Sequence, residues 1–242
     1  MKLPDFVERY RKLTAAILRA HDRERAMSLA VGGEFDAIGR LEYFLLLQHG
    51  LQPGHTVIDV GCGSGRLAVQ LREYLRGRYV GIDVVPELYR HAESLCARPD
   101  WRFCDAPGLS IPEPDGSADF ICFFSVFTHL THEQSYKYLR DARRVLKPGG
   151  LVAFSFLEFA QPAHWAAFQA LVDDADPDKV LNQFISRDAI AAWSAHLDYT
   201  VLAVNDGDKP HIRLPTPVRW DNGTEMRELG HLGQSVCVLA KP

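Results

Sequence analysis

Long apolar runs, paired cysteines and an excess of positive charge are all missing from this 242-residue sequence. No stretch approaches the roughly 18 consecutive apolar residues that a membrane-spanning helix requires. The five cysteines (Cys62, Cys96, Cys104, Cys122 and Cys237) form no C-x-x-C pair and no zinc-type spacing, which argues against a metal knuckle or a redox dithiol. Their odd number, and a charged opening ten residues in place of an apolar leader, suit a reducing compartment, so a cytoplasmic protein is expected. Cys104, Cys122 and Cys237 sit in apolar, strand-like runs and are expected as small buried hydrophobes. The formal net charge of −4 lacks the basic excess that phosphate-backbone binding demands, which excludes nucleic acid as an expected partner.

Linkers and repeats are absent too. No Pro/Gly/Ser-rich stretch or shift of composition divides the chain, so one α/β domain over residues 1–242 is expected. Hydrophobic residues make up 47% of the chain, enough for a core that needs neither disulfide nor metal.

What is present is an alternation of two periods. Leu3, Phe6, Val7, Tyr10, Leu13, Ile17 and Leu18 recur at helical spacing, and a second helix spans 36–48, separated from the first by Gly32-Gly33. These helices form an N-terminal cap over residues 1–50. Then comes a β-branched strand at 56–60, a glycine-rich turn, and a helix carrying Leu67, Ala68, Leu71 and Leu75. Strands are expected at 78–82, 101–104, 118–126 and 151–157, with helices between them. The third of these strands is nearly continuous in apolar residues, as a strand covered on both faces must be. Thr131-His132-Glu133-Gln134 has the form of a capping box, and that helix stops at Lys147-Pro148-Gly149-Gly150. A helix over 162–172, an acidic loop from Asp173 through Pro177 to Asp178, and a helix over 186–196 follow. Strands at 199–204 and 235–240 enclose a long loop, 205–233.

The chemistry concentrates at the first glycine turn, Val57-Ile58-Asp59-Val60-Gly61-Cys62-Gly63-Ser64-Gly65. Glycines there let the backbone turn sharply and approach a ligand closely. Arg66 occupies the place of the last glycine in the dinucleotide pattern G-x-G-x-x-G. Asp59 would repel a pyrophosphate but complements the ammonium and sulfonium of S-adenosylmethionine (SAM). Asp83 ends the second strand, where an acid can accept from both ribose hydroxyls, and Asp105 ends the third, near an adenine amino group. Each acid alone could equally cap a helix or turn. Three at the carboxyl ends of successive strands, the ligand-binding edge of such sheets, point to a site.

Residues 56–156 resemble the class I SAM-dependent methyltransferases. The successive motifs are the 57–65 turn, Tyr79-Val80-Gly81-Ile82-Asp83, Phe103-Cys104-Asp105-Ala106, Pro114-Asp115-Gly116-Ser117-Ala118-Asp119 and Leu146-Lys147-Pro148-Gly149-Gly150. The resemblance implies a doubly wound, mostly parallel seven-stranded sheet with helices on both faces and an antiparallel last strand. It places Asp59 and Gly61 near the methionine moiety, Asp83 on the ribose, and Asp105 and Ala106 beside adenine. The expected cofactor contacts are Asp59, Gly61, Cys62, Gly63, Gly65, Asp83, Val84, Asp105, Ala106 and Ser125. Upstream, the stretch from Gly33 to Leu41 is similar to one in bacterial methyltransferases of glycan and secondary-metabolite pathways. That similarity implies a lid containing Phe35 and Arg40, with Arg40 either a partner for the methionine carboxylate or an arginine on a helix surface.

For the acceptor end, His129 is the expected general base, its alternative being a histidine bonded to backbone at a helix start. His132 and Glu133 belong with the helix cap. His164 and Trp165 either line an acceptor pocket or pack in the core, and Arg213, Arg219 and Trp220 of the long loop are lid candidates. No Asn/Asp-Pro-Pro-aromatic motif of base-nitrogen methyltransferases follows the fourth strand. No ligand cluster suggests a metal, with Asp119 and Glu158 the acids left open. The expected reaction is methyl transfer from SAM, leaving S-adenosylhomocysteine (SAH), to a small-molecule or glycan acceptor at oxygen. N- or C-methylation, including of protein side chains, a non-catalytic SAM-binding protein, and an NAD-dependent oxidoreductase stand as rivals. The oxidoreductase is disfavoured by Asp59 and Arg66.

Overall fold

A computed structural model describes residues 5–176, 179–180 and 182–242. Leu3 of the first expected helix, and Pro177 and Asp178 of the acidic loop, lie outside the described residues. Three helices come first: α1 (Asp5–Ala20), α2 (Arg23–Ala30) and α3 (Phe35–Gln48). The sequence reading had no separate α2. It begins on Asp22, whose side chain accepts from the Arg25 N–H, and it ends at the positive-φ pair Gly32 and Gly33.

The alternating part follows as β1 (Val57–Val60), α4 (Arg66–Leu71), β2 (Tyr79–Asp83), α5 (Pro86–Cys96), β3 (Arg102–Asp105), β4 (Ala118–Phe123), α6 (His132–Val145) and β5 (Leu146–Phe156). Then come α7 (Pro162–Asp173), α8 (Arg187–His196), β6 (Thr200–Asn205), the short β7 (Ile212–Arg213), β8 (Val218–Arg219), β9 (Glu225–Met226) and β10 (Leu229–Gly230), and β11 (Ser235–Ala240). Seven strands join in the order β3-β2-β1-β4-β5-β11-β6. Pairing is parallel from β3 across to β5, whereas β11 runs antiparallel to both β5 and β6. The expected doubly wound sheet with an antiparallel last strand is therefore the fold.

Strand alternation builds a core on each face. In β4, Phe120 and Cys122 join Leu45, Leu67, Leu71 and Cys96 from α3, α4 and α5. Ile121 and Phe123 point the other way, to Tyr138, Leu139 and Val145 of α6 and Ile190 of α8. Truncating Phe123 or Phe154, both fully buried, would cost about 3–5 kcal/mol. Cys122 and Cys237 are buried as expected, Cys104 only partly, and all five cysteines are free thiols.

Several boundaries differ from the sequence reading, each for a tertiary reason. β4 stops at Phe123 instead of reaching Val126, because Ser125 turns the chain with a φ of 57°. Lys147-Pro148-Gly149-Gly150 is not a plain stop, since β5 already begins at Leu146, and Gly149 donates to Lys241 O at 2.8 Å. The capping box of α6 is present, with Thr131 and Gln134 exchanging side-chain and backbone bonds. The long loop is structured: β7 pairs with β10 and β8 with β9. Gln48 ties it to α3, donating to His211 O at 3.1 Å and accepting from Arg213 N–H at 2.9 Å. Among the described residues, no helix is long and apolar enough to cross a membrane.

Candidate cofactor and acceptor site

A cavity of about 790 Å³ opens along the carboxyl ends of the strands, in the upper part of the range that cofactor and small-molecule sites occupy. Strand order divides it. Residues after β1, β2 and β3 wall one half, and residues after β4 and β5 and before β11 wall the other.

The first half is built around two buried acids. Asp59 lies in β1, buried on both faces, and its Oδ2 accepts from the Tyr79 hydroxyl at 2.7 Å. Burial pushes its carboxyl up to about 7, against the pull of that hydrogen bond. Asp83 accepts from Gly63 N–H at 2.8 Å through Oδ2 and from Val85 N–H at 2.8 Å through Oδ1. Burial lifts it to about 6, with these backbone bonds opposing. Each carboxylate oxygen has a second lone pair, so Asp83 can brace the turn and still accept from a ligand hydroxyl.

The glycine turn approaches its surroundings as a cradle does. Gly61 (φ 80°) and Gly63 (φ 51°) line the cavity, and a Cβ at either would fall 2.3 Å from Val126 Cγ2 or 2.5 Å from Val31 Cγ1. Gly65 serves otherwise. At φ 94° it is the N-cap of α4, and a Cβ there would meet Ala92 Cβ of α5 at 2.7 Å. It packs helix on helix and stays out of the cavity wall. Cys62, Val84, Ala106 and Ser125 line the cavity, but Asp105 points outward to an exposed pairing with Arg11 at 4.0 Å.

The expected lid pair is likewise elsewhere. Phe35 and Arg40 are outside the wall, and Arg40 donates to Thr216 Oγ1 at 2.6 Å with its guanidinium 5.7 Å from the Phe44 ring. Helical spacing turns the α3 residues Ile38 and Glu42 inward instead. Glu42, 1% exposed, pairs with Arg66 at 2.6 and 2.9 Å, and Arg66 also donates to Val31 O at 2.9 Å. Burial raises the Glu42 carboxyl while Arg66 holds it down. The sequence reading used Arg66 only as a departure from a dinucleotide pattern. Its role as partner to a buried acid 24 residues upstream has no local signal.

The second half is polar in a different way. His129 lines it, half-buried, its ring stacked against Tyr10 of α1 at 6.4 Å between centroids. Tyr10 donates to Ala30 O at 2.8 Å, and burial together with the Asp83 charge holds its phenol well above the ordinary range. Ser125, Ser155 and Gln234 form a ring. Ser125 N–H donates to Ser155 Oγ at 2.7 Å, Ser155 donates to Gln234 Oε1 at 2.7 Å, and Gln234 Nε2 donates to Ser125 Oγ at 3.1 Å. His164 lines the wall but is committed: Nδ1 accepts from Glu158 N–H at 3.1 Å, so the Nε2 proton goes to Gly233 O at 3.0 Å. Trp165 lies outside, half-exposed, against Phe159 and Phe168.

Of the long-loop candidates, Trp220 lines the cavity and Arg213 and Arg219 do not. His132 bonds Phe184 O at 2.9 Å. The two acids left open for metal are occupied: Asp119 by Thr56 N–H and Lys147, Glu158 by Arg187 and Ser235. Among the described residues no cluster of three or more His, Cys, Asp or Glu could hold a metal ion.

The architecture and the site meet known proteins at this point. Residues 57–150 match the family model of the methyltransferase domain. The chain is 31% identical over 127 residues to the sterol 24-C-methyltransferase ERG6B of Gibberella zeae, covering 50% of this chain and 33% of that protein. It is 32% identical over 157 residues to the ribosomal protein L11 methyltransferase of Burkholderia mallei, covering 65% and 45%. The chain thus spans half or less of the length of these curated relatives. Magnesium protoporphyrin IX methyltransferase from Synechocystis, solved with bound SAH, superposes with a TM-score of 0.63 over 97% of both chains at 11% identity, a likeness of fold. Buried acids beside a positive-φ glycine cradle suit a cationic nucleoside and repel a pyrophosphate. Residues 57–150 thus form a methyltransferase domain with SAM as its cofactor, on a chain that has the fold of the class I SAM-dependent methyltransferases.

Proposed function

We propose that the chain transfers the methyl group of SAM to a small-molecule or glycan acceptor, at oxygen, with His129 as general base. One observation carries this reading. A single cavity joins the buried-acid half over β1 and β2 to a second half in which His129 faces in beside Ser125. When bound, SAM supplies a methyl group on a sulfonium, open to in-line displacement. Asp59 would offset the positive charge of the cofactor, and Asp83 would accept from its ribose hydroxyls. His129, 46 residues along the chain from Asp83 but across the same cavity, would take the acceptor's proton as the new bond forms. Alignment of the two halves supplies much of the remaining rate. We read residues 1–242 as one domain, with 1–50 as a helical cap over the cofactor and 205–233 as a second wall. The free thiols suit a reducing cytoplasm.

A second reading is methylation at carbon or at a protein nitrogen, as in the sterol and ribosomal-protein methyltransferases to which the chain is similar. The test begins with calorimetry of SAM, SAH and NAD. SAM and SAH are expected to bind at micromolar concentration, about −8 kcal/mol, and NAD far more weakly. A preference for NAD overturns the cofactor assignment. Mass spectrometry of products formed with labelled SAM then separates O- from N- and C-methylation.

A further inference from the structure

We propose that, of the small-molecule and glycan acceptors left open above, the cavity selects the small molecule, an uncharged and predominantly apolar one such as a hydroxylated ring system. The proposal rests on the methyltransferase reading above and concerns the second half of the same cavity. Charge is segregated along the wall. Among the described residues, its charged members are Glu34, Glu42, Asp59, Arg66 and Asp83, all from α3, its N-cap, the first two strands and the start of α4. None comes from the elements after β4, after β5 or before β11.

Those elements, with α1, present Phe6, Leu157, Ala163, Ala167, Val180 and Leu232 instead. A sugar buried there would lose water from several hydroxyls with few partners to replace it, which costs more than burying a ring with one hydroxyl. The long loop does not repair this, because Arg213 and Arg219 stay outside the wall and it reaches the cavity through Trp220, Leu232 and Gly233. His164 has both ring nitrogens engaged, and Thr128 and Tyr138 donate to Ser125 O and Gly108 O at 2.9 and 2.8 Å.

Beside His129 the polar groups left for such a molecule are few, the Asn182 amide and the Ser125 hydroxyl. Gln234 Oε1 takes the Ser155 hydroxyl at 2.7 Å and lies 3.4 Å from Ser125 Oγ, too far to hold the Ser125 proton well. Ser125 is also in the left-handed region, a conformation that persists only where its surroundings hold it. The geometry therefore gives the Ser125 hydroxyl to the acceptor's single oxygen, opposite the imidazole that removes its proton. Ser125 is thus a residue of acceptor orientation, at the junction of the two halves.

The experiment uses the full chain saturated with SAH and titrated with 2-naphthol and with methyl glucoside. Saturable naphthol binding at least tenfold tighter than the glucoside is expected. Ala167→Lys, on the half-exposed α7, and Phe6→Ser should each weaken naphthol binding tenfold or more, with SAH affinity as the control for an intact fold. Ser125→Ala should lower naphthol affinity severalfold, and an unchanged affinity in this variant overturns the role given to Ser125. Equal or tighter glucoside binding, absence of naphthol binding, or naphthol binding indifferent to Ala167→Lys and Phe6→Ser overturns the proposal. Failure of SAH itself to bind overturns the methyltransferase reading beneath it, and is seen before any acceptor probe is added.

Discussion

Gly63 donates its backbone N–H to the Asp83 carboxylate at 2.8 Å, so the glycine turn after β1 and the acid closing β2 are one unit. The acid that would hold the ribose also fixes the loop that would cradle the rest of the cofactor. Asp83→Ala is therefore expected to remove a charged acceptor and loosen the turn together. Charge-assisted bonds of this type are worth about 1.5–3 kcal/mol each. SAH affinity by calorimetry should fall at least tenfold, with circular dichroism reporting a folded chain. An unchanged affinity would reduce Asp83 to a structural brace.

Asp59 gives the site a pH dependence of defined sign. Its carboxyl titrates near 3.8 ordinarily and at about 7 when buried. Between those values the folded chain keeps a proton that the unfolded chain has released. This group's contribution to stability is thus complete below about pH 4 and lost as pH rises through 7. Binding of a cation runs the other way, because it needs the carboxylate. SAM affinity should weaken as pH falls from 7.5 to 5, by up to roughly tenfold per unit. Asp59→Asn should bind weakly at all these values, and should gain stability over the parent as pH rises. A parent affinity flat across that window would remove the charge argument.

Tyr79→Phe separates the hydrogen bond from the charge. The Tyr79 hydroxyl supports the ionised form of Asp59 at 2.7 Å, so its loss should move the midpoint of the SAM pH profile upward. Affinity at pH 7 should drop by a factor of about 10, for a bond to a charged group worth roughly 1.5 kcal/mol or more. A lower affinity with an unmoved midpoint would mean that the phenol acts through packing alone.

His129→Ala is expected to reduce turnover roughly 10²–10⁴-fold while leaving SAH affinity nearly intact. Activity surviving at the parent level would leave alignment as the whole of the catalysis.

Gly39→Ala tests the packing that seats the cap. A Cβ on this α3 residue would fall 2.3 Å from Arg66 O at the start of α4, a backbone atom that cannot swing aside. Overpacking of this kind costs about 1–3 kcal/mol. Urea denaturation should show that loss, and SAH binding should weaken because the Glu42–Arg66 pair spans the same contact. A variant as stable as the parent would show that α3 can move freely on α4.

Local signals in the chain determined the alternation of strands and helices, the glycine turn, the acids Asp59 and Asp83, and the capping box at Thr131. Each of these rests on residues within a few positions of one another, where periodicity, turn chemistry and capping act directly. Insertion of β11 between β5 and β6, the separate α2, and the structured ribbons of residues 212–230 depended on contacts distant in sequence. The same distance hid most of the wall. Tyr10 meets His129, Glu42 meets Arg66, and Ser125 meets Gln234 only because the fold brings them together. It also turned Phe35, Arg40, Gly65 and Asp105 away from the cavity, since a helix, a turn or a strand end has one inward face and neighbouring residues compete for it.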